Sequence, residues 1–291
     1  MADQRPIASK RIGYYPGCAL HGSSREYDMS VRAVAQALGH ELVEVNDWSC
    51  CGASAAHSTN AKLAESLSIR NLALAEKQGL DAILAPCPMC SKQLLVAAES
   101  LAEHPAVKAE VEQIIEMPYG GGVRTLNYIQ YCIDSLDDLK ARVKEPGLGK
   151  LKVACYYGCL LTRPPKVLKF DDAEQPVLME TVLQAVGAEP VAWAHRTECC
   201  GGGFTQSHEE AVVRLCRRIL ENAKAAGAEM LAVACPMCQM NLDLRQKAVE
   251  KKFDLKLGMP IVYVSQLVGL ALGIDRRKLG LDRHFVKVVS C

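Results

Sequence analysis

Two copies of one cysteine pattern constrain this chain more than any other feature. The first copy is Cys18, then Cys50, Cys51 and Gly52, then Cys87, Pro88, Met89 and Cys90. The second is Cys159, then Cys199, Cys200 and Gly201, then Cys235, Pro236, Met237 and Cys238. Each copy draws five thiols from three separated points. Five soft ligands are more than a tetrahedral zinc site uses, and they suit an iron–sulfur cluster, which thiolates hold. Zinc and a disulfide framework are the competing readings. Against disulfides, neighbouring cysteines such as Cys50 and Cys51 can close only a strained ring with each other.

The copies lie about half a chain apart in a sequence of 291 residues, which reads as duplication into two similar halves. The second copy carries about eight extra residues between its first cysteine and its vicinal pair. Arg11–Tyr15 leads into Gly17 and Cys18, and Lys152–Tyr157 leads into Gly158 and Cys159. Both read as a short buried strand ending in a glycine turn that presents a thiol. Short apolar strands also precede Cys87 and Cys235. Apolar residues at three- and four-residue spacing predict helices near residues 24–38, 60–78, 91–103, 176–186, 209–226 and 239–252. Gly39, Gly79, Gly187 and Gly227 fall where a left-handed helix cap uses glycine. A further strand-then-helix unit closes each half, at residues 125–139 and 261–272.

Strands alternating with helices imply an α/β fold: two duplicated, Rossmann-like halves with parallel sheets. Ligands of such sheets gather at the carboxyl ends of the strands, where Cys18, Cys87, Cys159 and Cys235 stand. The halves are expected at residues 1–147 and 148–291, divided in the charged, Pro- and Gly-rich stretch 144–150.

A net charge of +1 gives no reason to expect nucleic acid or a charged membrane as partner. The polar Met1–Lys10 stretch is not expected to be a secretory signal, and the apolar run 267–272 is too short for a transmembrane segment. Fourteen cysteines fit the cytoplasm, where thiols stay reduced.

The doubled Cys…Cys-Cys-Gly…Cys-Pro-x-Cys pattern resembles the paired CCG-domain iron–sulfur proteins, among them the B subunit of heterodisulfide reductase. More distant members are iron–sulfur components of lactate, glycolate and glycerol-3-phosphate oxidation systems. The likeness covers about residues 11–272. Two features favour the heterodisulfide reductase B-subunit family: the chain holds little beyond the two halves, and the insert after Cys159 resembles the insert of that family. It reads Leu160, Leu161, Thr162, Arg163, Pro164, Pro165, then Phe170, Asp171, Asp172, and Gln175, Pro176.

The resemblance implies two noncubane 4Fe–4S clusters. One would take Cys18, Cys50, Cys51, Cys87 and Cys90; the other would take Cys159, Cys199, Cys200, Cys235 and Cys238. It implies a catalytic subunit that reduces a disulfide, or oxidises thiols, between the clusters. The bacterial ferredoxin cysteine run is absent from the sequence. Electrons are therefore expected to pass through another polypeptide, which the resemblance implies is a ferredoxin protein like the C subunit of heterodisulfide reductase, with a flavin-containing protein like its A subunit beyond it. Two alternatives stay open: a sulfur-oxidising relative acting on lipoate-linked or other sulfane sulfur, and a pure electron-transfer component of a flavin dehydrogenase.

Other residues admit weaker assignments. His21 and His57 lie near ligand cysteines and are candidate proton donors, as are His195 and His208 with less reason. Arg25 and Arg163 could meet an anionic group, against a solvated surface role. Gly201–Gly203 allows close approach of a ligand to backbone. Cys132 and Cys216 read as buried inert thiols, Cys155 as a buried thiol beside the second set, and Cys291 as an end residue without a partner. The basic stretches 247–256 and 276–287 read as solvated faces or as docking for an acidic partner.

Overall fold

The computed structural model describes residues 10–289; the opening segment read as lacking a signal, and Cys291, lie outside them. Among the described residues, eight short strands form two four-stranded sheets. The first contains β1 (Arg11–Tyr14), β2 (Glu41–Glu44), β3 (Ala82–Leu84) and β4 (Arg124–Leu126). The second contains β5 (Lys152–Tyr156), β6 (Glu189–Pro190), β7 (Met230–Val233) and β8 (Ile261–Tyr263). Strand orders are β2-β1-β3-β4 and β6-β5-β7-β8, and every pairing is parallel. Equal orders in the two sheets are the tertiary counterpart of the repeated cysteine pattern. The inner strands are apolar on both faces, as β7 shows by burying all four of its residues, because helices cover both sides of such a sheet.

In each sheet the chain runs outward on both sides of a switch point, between β1 and β3 in the first and between β5 and β7 in the second. Ligands of open parallel sheets bind in the crevice beyond the strand ends at such a point. Cys18 and Cys87 follow the two strands flanking the first crevice, and Cys159 and Cys235 the two flanking the second. The vicinal pairs arrive from the loops after β2 and β6, one strand further out.

The expected helices form with small shifts. Gly39, Gly79, Gly187 and Gly227 take φ of +79°, +68°, +87° and +81°, the left-handed caps their positions called for. The helix expected from residue 91 starts earlier, at Pro88, because proline suits the first helical position. The helix expected over 239–252 divides into Pro236–Leu244 and Gln246–Phe253. At the break, the Arg245 guanidinium reaches Glu209 Oε1 at 2.6 Å and donates to Thr205 O at 2.8 Å.

The halves share a buried junction. Tyr27 on helix Arg25–Leu38 stacks on Tyr263 at the end of β8, with ring centroids 4.1 Å apart and planes 5° from parallel. Beside them the Ser30 and Ser265 hydroxyls meet at 2.6 Å. In the insert, helix Pro165–Leu168 packs on helix Pro88–Glu103, and Lys169 pairs with Glu99 at 3.3 Å. The tail folds back on the second half, where buried His284 hydrogen-bonds Gln239 and Gln266. Tyr27→Ala is expected to cost about 3–5 kcal/mol, as other buried aromatic truncations do. A lowered urea midpoint with unchanged slope would register it.

Candidate metal centres

Both Cys-Pro-Met-Cys segments build the same device. Cys87 and Cys235 are extended residues capping helices Pro88–Glu103 and Pro236–Leu244, with proline first in each helix. Cys90 and Cys238 come three residues later, inside the first turn. Both thiols of each segment therefore sit at a helix N-terminus, where unpaired N–H groups and the helix dipole favour thiolate.

The second cysteine of each vicinal pair meets this turn, and in the second half the first cysteine of the set meets the first of the pair. Cys51 Sγ lies 3.5 Å from Cys90 Sγ. In the second half Cys200 lies 3.7 Å from Cys238, and Cys159 lies 3.8 Å from Cys199. Across the junction, Cys87 and Cys235 are near enough to shift each other's protonation, Cys87 downward and Cys235 upward. Cys18, Cys50 and Cys199 are exposed, Cys159 is half-buried and the other six are buried. The pairing creates thiolate character. Hydrogen bonds from Cys50 and then Cys90 hold Cys51 down to about 3, and the bond from Cys159 holds Cys199 at about 5. Cys50 and Cys159 are pushed up in return.

The donor chemistry fits an iron–sulfur group. A cavity of about 60 Å³ is lined by all five thiols of the second set, with Met237, Leu160 and, from the other half, Pro88 and Met89. Gly17 and Gly158 keep the thiol turns open: a Cβ there would come 3.0 Å from Cys90 Sγ and 3.1 Å from Cys238 Sγ. Among the described residues no three His, Cys, Asp or Glu side chains converge as a single ion would require.

The other candidates divide. His21 ends the short helix Gly17–His21, with Nε2 3.2 Å from Glu44 and its ring edge-on to Trp48 at 5.1 Å. His57 is exposed on helix Ala55–Thr59, and its backbone N–H donates to Gly52 O at 2.9 Å. His195 Nδ1 meets Glu198 at 2.5 Å, and exposed His208 bonds Ser207 at 2.9 Å. Arg163 is engaged by Glu174 at 2.9 Å and donates to Thr197 O at 3.2 Å, which ties the insert to the loop before the second vicinal pair; Arg25 is exposed. Cys132 and Cys155 are fully buried, and burial pushes both thiols up, Cys132 to about 12.

Some supporting residues escaped the sequence reading. Ser68 Oγ donates to Cys51 O at 2.8 Å. At the matching helix position of the second half stands Cys216, its thiol 3.8 Å from Cys200 O. Cys216 is thus the counterpart of a loop-holding serine, which laying the helices after each vicinal pair over one another would have revealed. Asn241 also donates to Cys200 O, at 3.3 Å.

Fold and thiols together define a duplicated α/β protein with a five-cysteine station at the switch point of each half. The family model for the CCG cysteine-rich domain matches twice, at residues 12–95 and 153–243. The chain belongs to this family of paired CCG-domain iron–sulfur proteins, to which the B subunit of heterodisulfide reductase also belongs. It is 34% identical to the 8-methylmenaquinol:fumarate reductase membrane anchor subunit of Wolinella succinogenes, over 95% of this chain and 97% of that protein. It is 29% identical to the B subunit of the ferredoxin/F(420)H(2)-dependent CoB-CoM heterodisulfide reductase of Methanosarcina acetivorans, over 96% of this chain and 95% of that one. A solved hypothetical protein from Helicobacter pylori shares the fold, with TM-score 0.75, 14% identity, and coverage of 98% of this chain and 54% of that one. No helix among the described residues is long and apolar enough to cross a membrane.

Proposed function

We propose that each half, residues 1–147 and 148–291, holds one noncubane 4Fe–4S cluster on its five matched cysteines, and that the chain is the catalytic subunit of a heterodisulfide-reductase-like complex. The cavity at the junction of the halves supports this reading, because Pro88 and Met89, which follow Cys87, line it together with the five thiols of the second set. When bound, clusters of this kind supply electrons one at a time, so two of them match the two electrons that a disulfide takes up. The chain's own contribution is placement. Helix N-termini offer N–H groups to Cys87, Cys90, Cys235 and Cys238; Cys87 is held down, while neighbouring thiols and burial push Cys90, Cys235 and Cys238 up. Met89, Met237 and Leu160 give the second site apolar walls that exclude water and suit a sulfur-containing ligand. His21, one helical turn beyond Cys18, and His57, tied to the first vicinal loop, serve as proton donors for departing thiolate.

Electrons enter from a ferredoxin-type protein like the C subunit of heterodisulfide reductase and a flavin protein like its A subunit, in a cytoplasmic hetero-oligomer. Support for a complex comes from the relatives, two of which are named as subunits.

A second reading has its own support. The 34% match to a component of a fumarate reductase exceeds the 29% match to a heterodisulfide reductase. On that reading the same two clusters pass electrons to a dehydrogenase and no disulfide binds.

Electron paramagnetic resonance on anaerobically purified chain, oxidised with and without coenzyme M, separates the two. Full iron loading with a new signal only when thiol is present is the expected result. Iron without a thiol response moves the function to electron transfer, and zinc in place of iron overturns the cluster assignment.

A further inference from the structure

We propose that Tyr15 and Tyr156 are duplicated positioning residues that hold the vicinal cysteine pair of each half at the angle at which its thiols meet a cluster. The inference rests on the cluster reading and extends it to residues outside the cysteine pattern.

Each tyrosine stands three residues before the first cysteine of its half, where the strand beside the switch point ends. The Tyr15 hydroxyl donates to Ser49 O at 2.7 Å, and the Tyr156 hydroxyl donates to Glu198 O at 2.7 Å. Ser49 and Glu198 immediately precede Cys50 and Cys199. Each ring also lies under the glycine of its thiol turn: a Cβ at Gly17 would come 3.4 Å from Tyr15, and one at Gly158 would come 3.6 Å from Tyr156. A single rigid side chain thus spans the first station and the second. Trp48 packs edge-on to Tyr15 at 5.5 Å, and Trp193 packs against Tyr156 at 6.2 Å, so both rings are themselves held. Burial first, and then the surrounding thiols, push both phenols up, which keeps each hydroxyl a neutral donor.

The halves differ in one respect that makes the inference testable. Ser49 O also accepts from Asn71 Nδ2 at 3.0 Å, and Asn71 Oδ1 takes the Ser49 N–H at 2.8 Å. At the helix position matching Asn71, by the register that pairs Ser68 with Cys216, the second half has Ile219. The carbonyl that precedes the first vicinal pair is therefore held by two side chains, and among the described residues the one that precedes the second is held by its tyrosine.

The test compares Tyr15→Phe, Tyr156→Phe and the double variant Tyr15→Phe, Asn71→Leu in the full chain. On metal-free protein, iodoacetamide alkylation is followed cysteine by cysteine by peptide mass spectrometry. Tyr156→Phe is expected to raise the rate at Cys199 about five-fold, the size of one lost hydrogen bond. Tyr15→Phe alone is expected to change Cys50 less than about two-fold, and the double variant to restore the larger effect there. On iron-loaded protein, Tyr156→Phe is expected to move the midpoint potential and g-values of one cluster and leave the other unchanged. Unaltered alkylation and unaltered potentials in all three variants would overturn the proposal, as would equal effects at Cys50 and Cys199 in every variant. Failure of wild-type chain to take up iron would instead sink the cluster reading, while the alkylation pattern still judges the tyrosines. Should Tyr156→Phe not fold, the double variant in the other half decides the same question.

Discussion

Cys238→Ala is expected to remove about half of the iron of the loaded protein and to leave the remainder bound, since four-iron clusters depend on their full thiolate set. Cys238 is buried in the first turn of helix Pro236–Leu244, 3.7 Å from Cys200 and lining the cavity shared by its set. Alanine keeps the helix and leaves the cavity with four thiols. The first set, centred on Cys51 and Cys90, has its own helix and its own vicinal loop, so its iron should stay. Cys132→Ala serves as the control, because Cys132 is buried on helix Tyr128–Asp134 and belongs to neither set; full iron is expected there. Iron analysis with electron paramagnetic resonance gives both answers. Loss of all iron in Cys238→Ala would mean that the sets load as one unit through Cys87 and Cys235.

The glycines of the two Cys-Cys-Gly motifs are expected to differ sharply in tolerance. Gly52 has φ of +78°, and a Cβ there would lie 2.8 Å from the Cα of Ala64 on helix Ala61–Lys77. Backbone cannot step aside as a side chain can. Gly52→Ala therefore combines a left-handed alanine, about 1–2 kcal/mol, with overpacking of about 1–3 kcal/mol. Gly201 has φ of +80°, but its Cβ would first meet the side-chain tips of Leu215 and Val212, each at 3.1 Å. Leu215 can turn and Val212 need give only a few tenths of an ångström, so Gly201→Ala is expected to cost less than Gly52→Ala, about 1–2 kcal/mol for the backbone and at most about 1 kcal/mol for packing. Urea denaturation of the metal-free variants measures the difference, and equal costs would contradict this packing.

Much of the fold was legible because the chain states it twice. Strand–glycine–cysteine units at Tyr15–Cys18 and Tyr156–Cys159 mark strand ends, and the Cys-Pro-Met-Cys runs mark helix starts. Proline at a first helical position is a local preference that needs no tertiary information, although apolar spacing alone begins that helix three residues late. The division of the 239–252 helix was not visible. Its apolar spacing continues through Arg245, and the break coincides with Arg245 reaching Glu209 and Thr205, residues distant in the sequence.

The ten cysteines, their division into two fives and the α/β class follow from residue type and spacing alone, because thiol chemistry and helix periodicity are local properties. Strand order, the approach of Pro88 and Met89 to the second thiol set, and the Tyr27–Tyr263 stack arise only in three dimensions. The same holds for the roles of Tyr15, Tyr156, Ser68 and Cys216, which act on carbonyl groups many residues away. A hydrogen bond from a side chain to a remote backbone oxygen leaves no spacing signature. It exists only once the switch-point crevice has brought three loops of each half together.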